Sequence, residues 1–324
     1  MASSAVATVP SSGRAQTWLS RLREGDKITH LITLLFALSV FLITVLLAFE
    51  LWKHSGSARS KFGFGFFTGQ TWDPVQEVFG ALPFIYGTLL TSALALLISV
   101  PLGLGAAIFL SELAPPRLAN TFTFFIELLA AVPSVIFGLL AIFTVVPLLR
   151  EYGEPLLRST LGFLPFFQGQ AYGVGYLAAG VTLSIMIFPF IISISRDSLM
   201  AVPRDQREAA LALGATQWEA TWQVVVPYAR LGIIGSVFLA LARALGETMA
   251  VTMVIGNAPT IQASLFAPGY TIASVIANEF TEALGNIYPA ALVELGLVLF
   301  ILTMMINASA QLLILLTTQK GSQH

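Results

Sequence analysis

The amino-acid sequence predicts an all-α protein that crosses a lipid membrane six times. Of its 324 residues, 56% are hydrophobic and only 10% are charged, whereas a soluble domain carries about 25% charged residues. A bilayer core of about 30 Å requires about 20 apolar residues in helical form. Six stretches meet this requirement: residues 31–49, 86–110, 121–149, 173–194, 231–255 and 289–316. Their apolar runs are continuous rather than alternating, which argues against a transmembrane β-barrel.

Composition also excludes several classes of function. Lys and Arg total 16, Asp and Glu total 17, and the net charge of −1 gives no indication of nucleic-acid binding. The absence of cysteine excludes disulfide bonds, thiolate metal sites and cysteine nucleophiles. The histidines His30, His54 and His324 are scattered, so no metal site is predicted. An intramembrane enzyme is disfavoured because the chain contains neither G-x-S-x-G nor H-E-x-x-H.

The distribution of basic residues predicts the orientation of the chain. One side of the membrane carries ten of them: Arg14, Arg21, Arg23, Lys27, Arg117, Arg196, Arg204, Arg207, Arg230 and Lys320. The opposite side carries five: Lys53, Arg59, Lys61, Arg150 and Arg158. Because cytosolic loops are enriched in Lys and Arg, both termini and the 195–230 loop are predicted to be cytosolic.

The chain divides into a membrane domain and flanking segments. Residues 1–30, rich in Ser, Ala and Thr, predict a disordered cytosolic tail, and residues 317–324 predict a second cytosolic tail. Residues 31–52 predict an uncleaved first transmembrane helix, because no small-residue cleavage site follows the apolar run. Residues 53–83 predict an external loop, and residues 84–316 predict the main transmembrane domain.

A short polar hairpin is predicted within the 195–230 loop, in the stretch EAALALGATQWEATWQVVVP. Pro203 suits the first turn of a helix, and Gly214 is expected to end that helix in a left-handed conformation. Thr216 and Glu219 have the spacing of a capping box, which starts a second short helix. Pro227 is expected to break the second helix near its end. The sequence therefore predicts a helix–glycine–helix unit between two membrane spans.

Two interpretations of this hairpin follow from its residues. Trp218 and Trp222 are four residues apart and could anchor an amphipathic helix on the lipid surface. Alternatively, the small side chains of Ala209 and Ala210 would allow another protein surface to approach closely. Spacing alone does not decide between lipid and protein.

The same stretch resembles the EAA loop of ABC importer permeases. The matching residues are Glu208, Ala209, Ala210, Gly214 and Pro227, although valine stands where that family usually has isoleucine and leucine before the proline. In that family the loop is a coupling helix that sits in a cleft of a separate ATPase. None of the four lysines here follows a glycine, so the chain has no P-loop. The resemblance therefore implies that ATP is hydrolysed by a partner.

Four further stretches resemble the PstC family of phosphate-specific permease subunits. They are RALGETMAVTMVIGN at 243–257, ELLAAVPSVIFGL at 127–139, the segment 79–115, and ANEFTEA at 277–283. The resemblance implies a type I ABC importer permease (MetI-like) fold, located in the bacterial plasma (inner) membrane and transporting inorganic phosphate. It also implies a PstA-like partner permease, two PstB-like ATP-binding subunits holding Mg-ATP, and an external PstS-like phosphate-binding protein. No cofactor is expected on this chain, and a PstA-like role remains the alternative.

Four charged residues lie within the predicted spans, where charges are costly and often functional: Glu127, Arg243, Glu247 and Glu294. Arg243 and Glu247 are four residues apart and are expected to share one helix face. The guanidinium offers a fork of donors that matches phosphate, and the carboxylate could accept the proton that HPO₄²⁻ carries. The alternative is an ion pair that only fixes helix packing. Glu127 and Glu294 are expected to serve structure or gating, paired with an arginine.

Backbone features add weaker candidates. Ser134 follows Pro133, where a kink could expose backbone N–H groups to an anion. Pro101 and Pro189 also lie inside predicted spans and are expected to kink them. The Gly103/Gly105 pair is expected to allow close helix packing rather than to bind phosphate.

A secondary transporter is the main rival function. In it, Glu247 would carry protons and drive anion uptake. Such a transporter would have no use for an EAA loop.

Overall fold

The structure is a computed structural model that describes the backbone of residues 13–321 and the side chains of residues 29–312, 314 and 315. Six continuous helical stretches of the described residues are long and apolar enough to cross a membrane. Some of these stretches contain several of the shorter helices and π-helical turns named below. These candidate spans are Thr29–His54, Leu82–Leu113, Ser134–Leu161, Tyr176–Met200, Gln217–Leu245 and Ile287–Leu312. The predicted number of spans is therefore confirmed, while several of their bounds differ.

Helices form nearly all of the regular structure in the described residues. They are α1 (Gly13–His54), α2 (Gly56–Phe62), α3 (Gly65–Thr68), α4 (Leu82–Ile108), α5 (Pro116–Ala130), α6 (Ser134–Leu140), α7 (Val146–Leu148), α8 (Glu154–Leu161), α9 (Tyr176–Met200), α10 (Arg204–Ala212), α11 (Gln217–Ala220), α12 (Val226–Leu245), α13 (Met249–Thr252), α14 (Ile272–Glu279) and α15 (Ile287–Gly321). π-Helical turns occupy Phe109–Leu113, Ala141–Val145, Leu149–Gly153 and Thr221–Val225, and a 3₁₀ turn occupies Pro165–Phe167. The strands β1 (Trp72–Asp73) and β2 (Val78–Phe79) pair antiparallel.

Helix α1 accounts for the described part of a separate N-terminal unit that ends at Lys53. Its apolar side chains are exposed, with Phe36 at 70% and Phe41 at 66%, which suits contact with lipid tails. The structure is helical from Gly13 onward, whereas the sequence predicts a disordered tail over residues 1–30. Residues 1–12 lie outside the described residues, as do residues 322–324 of the predicted C-terminal tail.

Helices α4 and α9 form the most extensive contact in the second unit. Small residues bring them together, because a side chain at Gly103 would meet Ile191 at 2.8 Å and one at Gly180 would meet Leu94 at 2.7 Å. The close packing predicted for Gly103 is thus confirmed, while Gly105 has open space beside it. This helix pair forms the centre of the fold.

The segment 253–271 packs over the N-terminal ends of α4 and α9. The backbone N–H of Gly175 donates to the carbonyl of Val254 at 3.0 Å, and that of Tyr176 donates to Ala267 at 3.1 Å. Two tyrosine hydroxyls add further hydrogen bonds, from Tyr86 to the carbonyl of Gln262 and from Tyr176 to that of Thr260, both at 3.1 Å. The segment is therefore fixed to both helices.

The 53–83 region, predicted to be an external loop, is folded against α14 and α15. The indole N–H of Trp72 donates to Glu279 Oε2 at 2.8 Å, and the Tyr288 hydroxyl donates to the same oxygen at 2.7 Å. The hydroxyl of Tyr270 accepts a hydrogen bond from Asn278 at 3.0 Å. Burial raises the pKa of Tyr270 to about 12, so its hydroxyl remains protonated at neutral pH.

The third predicted span, 121–149, is wrong in its bounds. Helix α5 ends at Ala130, and the span proper begins at Ser134. Pro133 stands directly before α6 rather than inside a helix, because proline disfavours helical geometry in the residue that precedes it. The other two prolines, Pro101 and Pro189, do lie inside α4 and α9.

The fifth predicted span, 231–255, is also displaced. The helix runs from Gln217 through Pro227 to Leu245, so the break expected at Pro227 is absent. A wider π-helical turn over Thr221–Val225 directly precedes α12, whose second residue is this proline, and the helix continues with a local change in its hydrogen bonding. Gly246 follows the last helical residue, and the chain then turns toward α13.

We predict that Gly87→Ala destabilises the protein. A Cβ on this residue of α4 would lie 2.0 Å from the carbonyl oxygen of Tyr270, so the 253–271 segment would have to move. Overpacking of this kind costs about 1–3 kcal/mol. The thermal unfolding midpoint of the purified protein in detergent should fall by about 2 °C or more.

Gly105→Ala is the matched control on the same helix. No atom lies within 4 Å of its expected Cβ, and alanine favours a helix over glycine. Its midpoint should not fall. Equal midpoints for both variants would contradict the close approach of α4 to Tyr270.

Candidate functional site

The hairpin between α9 and α12 has the predicted helix–glycine–helix order, but its second helix is the start of the fifth span rather than a separate short helix. Helix α10 begins after Pro203, and Gly214 has a left-handed φ of 91° just beyond its end. Thr216 Oγ1 accepts a hydrogen bond from the Glu219 N–H at 3.3 Å, and Glu219 Oε2 accepts one from the Thr216 N–H at 2.8 Å. The expected capping box is therefore complete and begins α11.

One face of the hairpin is open to contact. Glu208 and Ala209 are exposed, and Ala210 is half-buried. Leu213 at the tip is 90% exposed and Trp218 is 56% exposed. Exposed apolar groups next to polar ones are typical of a surface that another molecule covers.

The opposite face of the hairpin is attached to the membrane helices. Arg207 donates to both carboxylate oxygens of Glu112, at 3.0 Å from Nε and 2.9 Å from Nη2. It also donates to the backbone carbonyls of Leu199 and Val202 at the end of α9. The side-chain amide of Gln217 donates to the Glu112 carbonyl at 2.9 Å. A groove of about 380 Å³ lies beside these contacts.

Arg243 lies near the C-terminal end of α12, two residues before the fifth span ends. Its guanidinium carbon is 4.2 Å from the centre of the Phe190 ring, a cation–π contact with α9. Its Nε is buried without a hydrogen-bond partner, and no acidic side chain of the described residues forms an ion pair with it. Its N–H donors are therefore available to an anion.

The expectation that Arg243 and Glu247 share one helix face is wrong. Helix α12 ends at Leu245, so Glu247 lies in the turn that follows. Its Oε1 accepts a hydrogen bond from the Ala250 N–H at 3.2 Å, at the start of α13. The ion-pair interpretation loses its geometric basis in the described structure, although both residues remain half-buried.

Ser134 lies on α6, the helix that packs against α13. It is the first residue of α6 and is half-buried. One turn further on, a Cβ at Gly138 would meet the Ala250 Cα at 3.0 Å, so α6 packs tightly on α13. Residues four apart share a helix face, which places Ser134 on the side of α6 that faces α13.

The two other predicted carboxylates lie apart from this turn. Glu127 is exposed on α5, which lies outside the six candidate spans of the described residues, so the prediction that it belongs to the third span is wrong. Glu294 is only 2% exposed within α15, and its Oε2 has no hydrogen-bond partner among the described residues. The expected pairing of Glu294 with an arginine stays a prediction.

Sequence reasoning missed two carboxylates. Glu154 is 1% exposed and accepts a hydrogen bond from the Gly173 N–H at 3.0 Å. It was overlooked because the predicted third span stops short of it. Glu112 was missed because its partner Arg207 is 95 residues away in sequence. The one available signal was the position of Arg207, immediately before the EAA residues.

Six apolar spans, partly buried charges and an exposed hairpin define a polytopic membrane transport subunit. Residues 99–319 match the model of a protein family described as "Binding-protein-dependent transport system inner membrane component". The chain belongs to this family, and it is an inner-membrane component of an importer rather than a soluble enzyme.

Relatives of known name agree with this assignment. The chain is 49% identical to the phosphate transport system permease protein PstC of Mesorhizobium japonicum, over 90% of each chain. It is 47% identical to the protein of the same name from Haemophilus influenzae, over 92% of this chain and 94% of that one. The predicted resemblance to the PstC family is therefore confirmed.

Solved structures confirm the MetI-like fold. A bacterial ABC transporter involved in alginate import has a TM-score of 0.58 at 16% identity, covering 90% of this chain and 98% of that one. The MetNI methionine ABC transporter in an inward-facing conformation has a TM-score of 0.53 at 18% identity, covering 76% of this chain and 99% of that one. At these identities the likeness concerns the fold alone.

We predict that Gly214→Val disrupts the hairpin without preventing membrane insertion. No atom lies within 4 Å of the expected Cβ, so the effect comes from the left-handed φ of 91°, which disfavours any side chain by about 1 kcal/mol or more. The variant should reach the membrane at wild-type levels but fail to co-purify with an ATPase subunit. Gly235→Val, in α12 with equal open space, is the control. Wild-type co-purification by Gly214→Val would contradict a docking role for the hairpin.

Proposed function

We propose that this chain forms half of the translocation pathway of an ATP-driven importer of inorganic phosphate. The observation that carries the proposal is Arg243, a half-buried guanidinium at the end of a membrane helix with no acidic partner in the described structure. Placing a charge within a membrane costs free energy, so charged residues there are rare and are candidates for a function. Relatives that are 47–49% identical and named as phosphate permeases support phosphate as the anion.

Each candidate residue has a distinct proposed role. The planar fork of Arg243 binds two phosphate oxygens, with Phe190 holding the guanidinium plane. Glu247 accepts a hydrogen bond from the P–OH group of HPO₄²⁻, a donor that sulfate does not have. Ser134, beside α13, offers a hydroxyl donor to the same anion. Glu294 acts in gating rather than in binding, since it is buried within α15.

The hairpin is proposed to dock into a separate ATPase. Glu208 and Ala209 form its exposed face with Ala210 half-buried, and Gly214 sets the turn. Pro227 lies inside the continuing helix and affects the hairpin only indirectly. The proposed assembly contains a PstA-like permease, two PstB-like ATPases that hold Mg-ATP, and an external PstS-like phosphate-binding protein. Closure of the ATPases would move the hairpin and switch the pathway between inward- and outward-facing states.

Two rival functions are less well supported. A PstA-like role conflicts with the names of the relatives reported above. A proton-coupled transporter using Glu247 would leave the exposed face of the hairpin without a purpose.

The proposed orientation places both termini and the hairpin in the cytosol. The chain lacks cysteine, so single cysteines are clean probes. We predict that an impermeant maleimide added outside intact cells labels Lys61→Cys and Phe163→Cys but not Gly214→Cys. All three positions are exposed. Labelling of Gly214→Cys from outside would contradict the proposed orientation.

We predict that Arg243→Lys lowers phosphate uptake at least tenfold, a loss of about 1.4 kcal/mol. A lysine keeps the charge but cannot reproduce the bidentate fork or the stacking on Phe190. The measurement is uptake into proteoliposomes that hold the full complex, with assembly checked by co-purification and mass spectrometry.

Arg117→Lys, an equally conservative change of an exposed arginine on α5, is the matched control. Its uptake should stay within twofold of wild type. Normal uptake by an assembled Arg243→Leu/Glu247→Met variant would remove both residues from the phosphate site.

A further inference from the structure

The contact between Arg207 and Glu112 joins three separate parts of the fold. The two-pronged ion pair connects the coupling hairpin to the π-helical turn that ends the α4 span. The same guanidinium donates to the carbonyls of Leu199, at 2.7 Å, and of Val202, which lie at the end of α9. Glu112 is 7% exposed and Arg207 is 22% exposed, so the pair is largely shielded from water.

This contact attaches the hairpin to the α4–α9 pair. Those helices are held together by side chains packed against Gly103 and Gly180, and close-packed interfaces have low compressibility and transmit strain. At their far ends, Tyr86 and Tyr176 donate to carbonyls of the 253–271 segment. A continuous path of direct contacts therefore connects the hairpin with that segment.

Stability alone is a weak reason for this contact. Replacing a buried ion pair with apolar residues is often neutral, and the hairpin already has its own glycine turn and capping box. The fork of Arg207 instead fixes distance and direction between the hairpin and two helix ends, which a single apolar contact would not do.

We propose that Arg207 and Glu112 are positioning residues that transmit movement of the hairpin to α4 and α9, and through them to the 253–271 segment. This inference rests on the proposed function, because it requires an ATPase that moves the hairpin. The pair sets how much transport accompanies each ATP hydrolysed, and how strongly the binding protein stimulates the ATPase.

The test uses Glu112→Gln and Arg207→Lys in the complete complex with its ATPase, partner permease and binding protein. Both variants should co-purify with the ATPase within twofold of wild type and retain basal ATP hydrolysis. Phosphate transported per ATP should fall at least tenfold, and stimulation by the binding protein should be lost. If the residues act through each other, the double variant should be no worse than the more severe single variant.

Asp197→Asn is the matched control. This acid lies on the same end of α9, is 72% exposed, and is 3.7 Å from Arg196. It undergoes the same acid-to-amide change without joining two elements. In this control, the phosphate transported per ATP and the stimulation of the ATPase by the binding protein should both remain within twofold of wild type.

Wild-type ratios in an assembled Glu112→Gln or Arg207→Lys variant would overturn the inference and leave the pair as a packing contact. If a single variant fails to assemble, the apolar pair Arg207→Met/Glu112→Leu replaces it, and the same two ratios decide. Failure of the wild-type complex to transport phosphate would refute the proposed function instead. In that case, stimulation of the ATPase by the binding protein would still test the role of Arg207 and Glu112. Its loss in the variants would support the inference, and its retention would contradict it.

Discussion

The close packing of α4 against α9 is the interaction on which the rest of the structure depends. Gly103 and Gly180 let side chains of the partner helix fill their space, which brings the two backbones close. Within a membrane, water provides no hydrophobic force between helices, so contact of this kind is a main source of cohesion. The N-terminal ends of the pair hold the 253–271 segment, and the C-terminal ends hold the hairpin.

The candidate phosphate site contacts one helix of this pair, α9. Phe190, on α9, supports the guanidinium of Arg243. The turn after α12 brings Glu247 to the start of α13, and α13 packs on α6, where Ser134 begins the helix. Helix α9 therefore contacts Arg243, while α6 packs on the helix that Glu247 precedes.

Features encoded by neighbouring residues could be predicted from the sequence. The turn at Gly214 and the box formed by Thr216 and Glu219 follow from short-range rules, and the structure agrees with them. The number of spans follows from the length of the apolar runs. The bounds of the spans are harder to predict, because hydropathy does not show that helices end at Pro133 and Gly246.

Features that depend on distant residues could not be predicted. Glu112 and Arg207 are 95 residues apart, and neither carries a local signal for the other. For Arg243 and Glu247 the local signal was misleading. Their spacing of four residues predicts a shared helix face, but the helix ends before Gly246, which lies between them. Spacing of four is informative only where the helix is continuous.

The most direct measurement is uptake of radiolabelled phosphate by proteoliposomes that hold the complete complex, with the proton gradient collapsed by an uncoupler. An ATP-driven importer coupled through the hairpin should take up phosphate only with ATP on the hairpin side and the binding protein on the other, and the uncoupler should have no effect. Uptake that proceeds without ATP and stops when the gradient collapses would contradict this account and identify a secondary transporter.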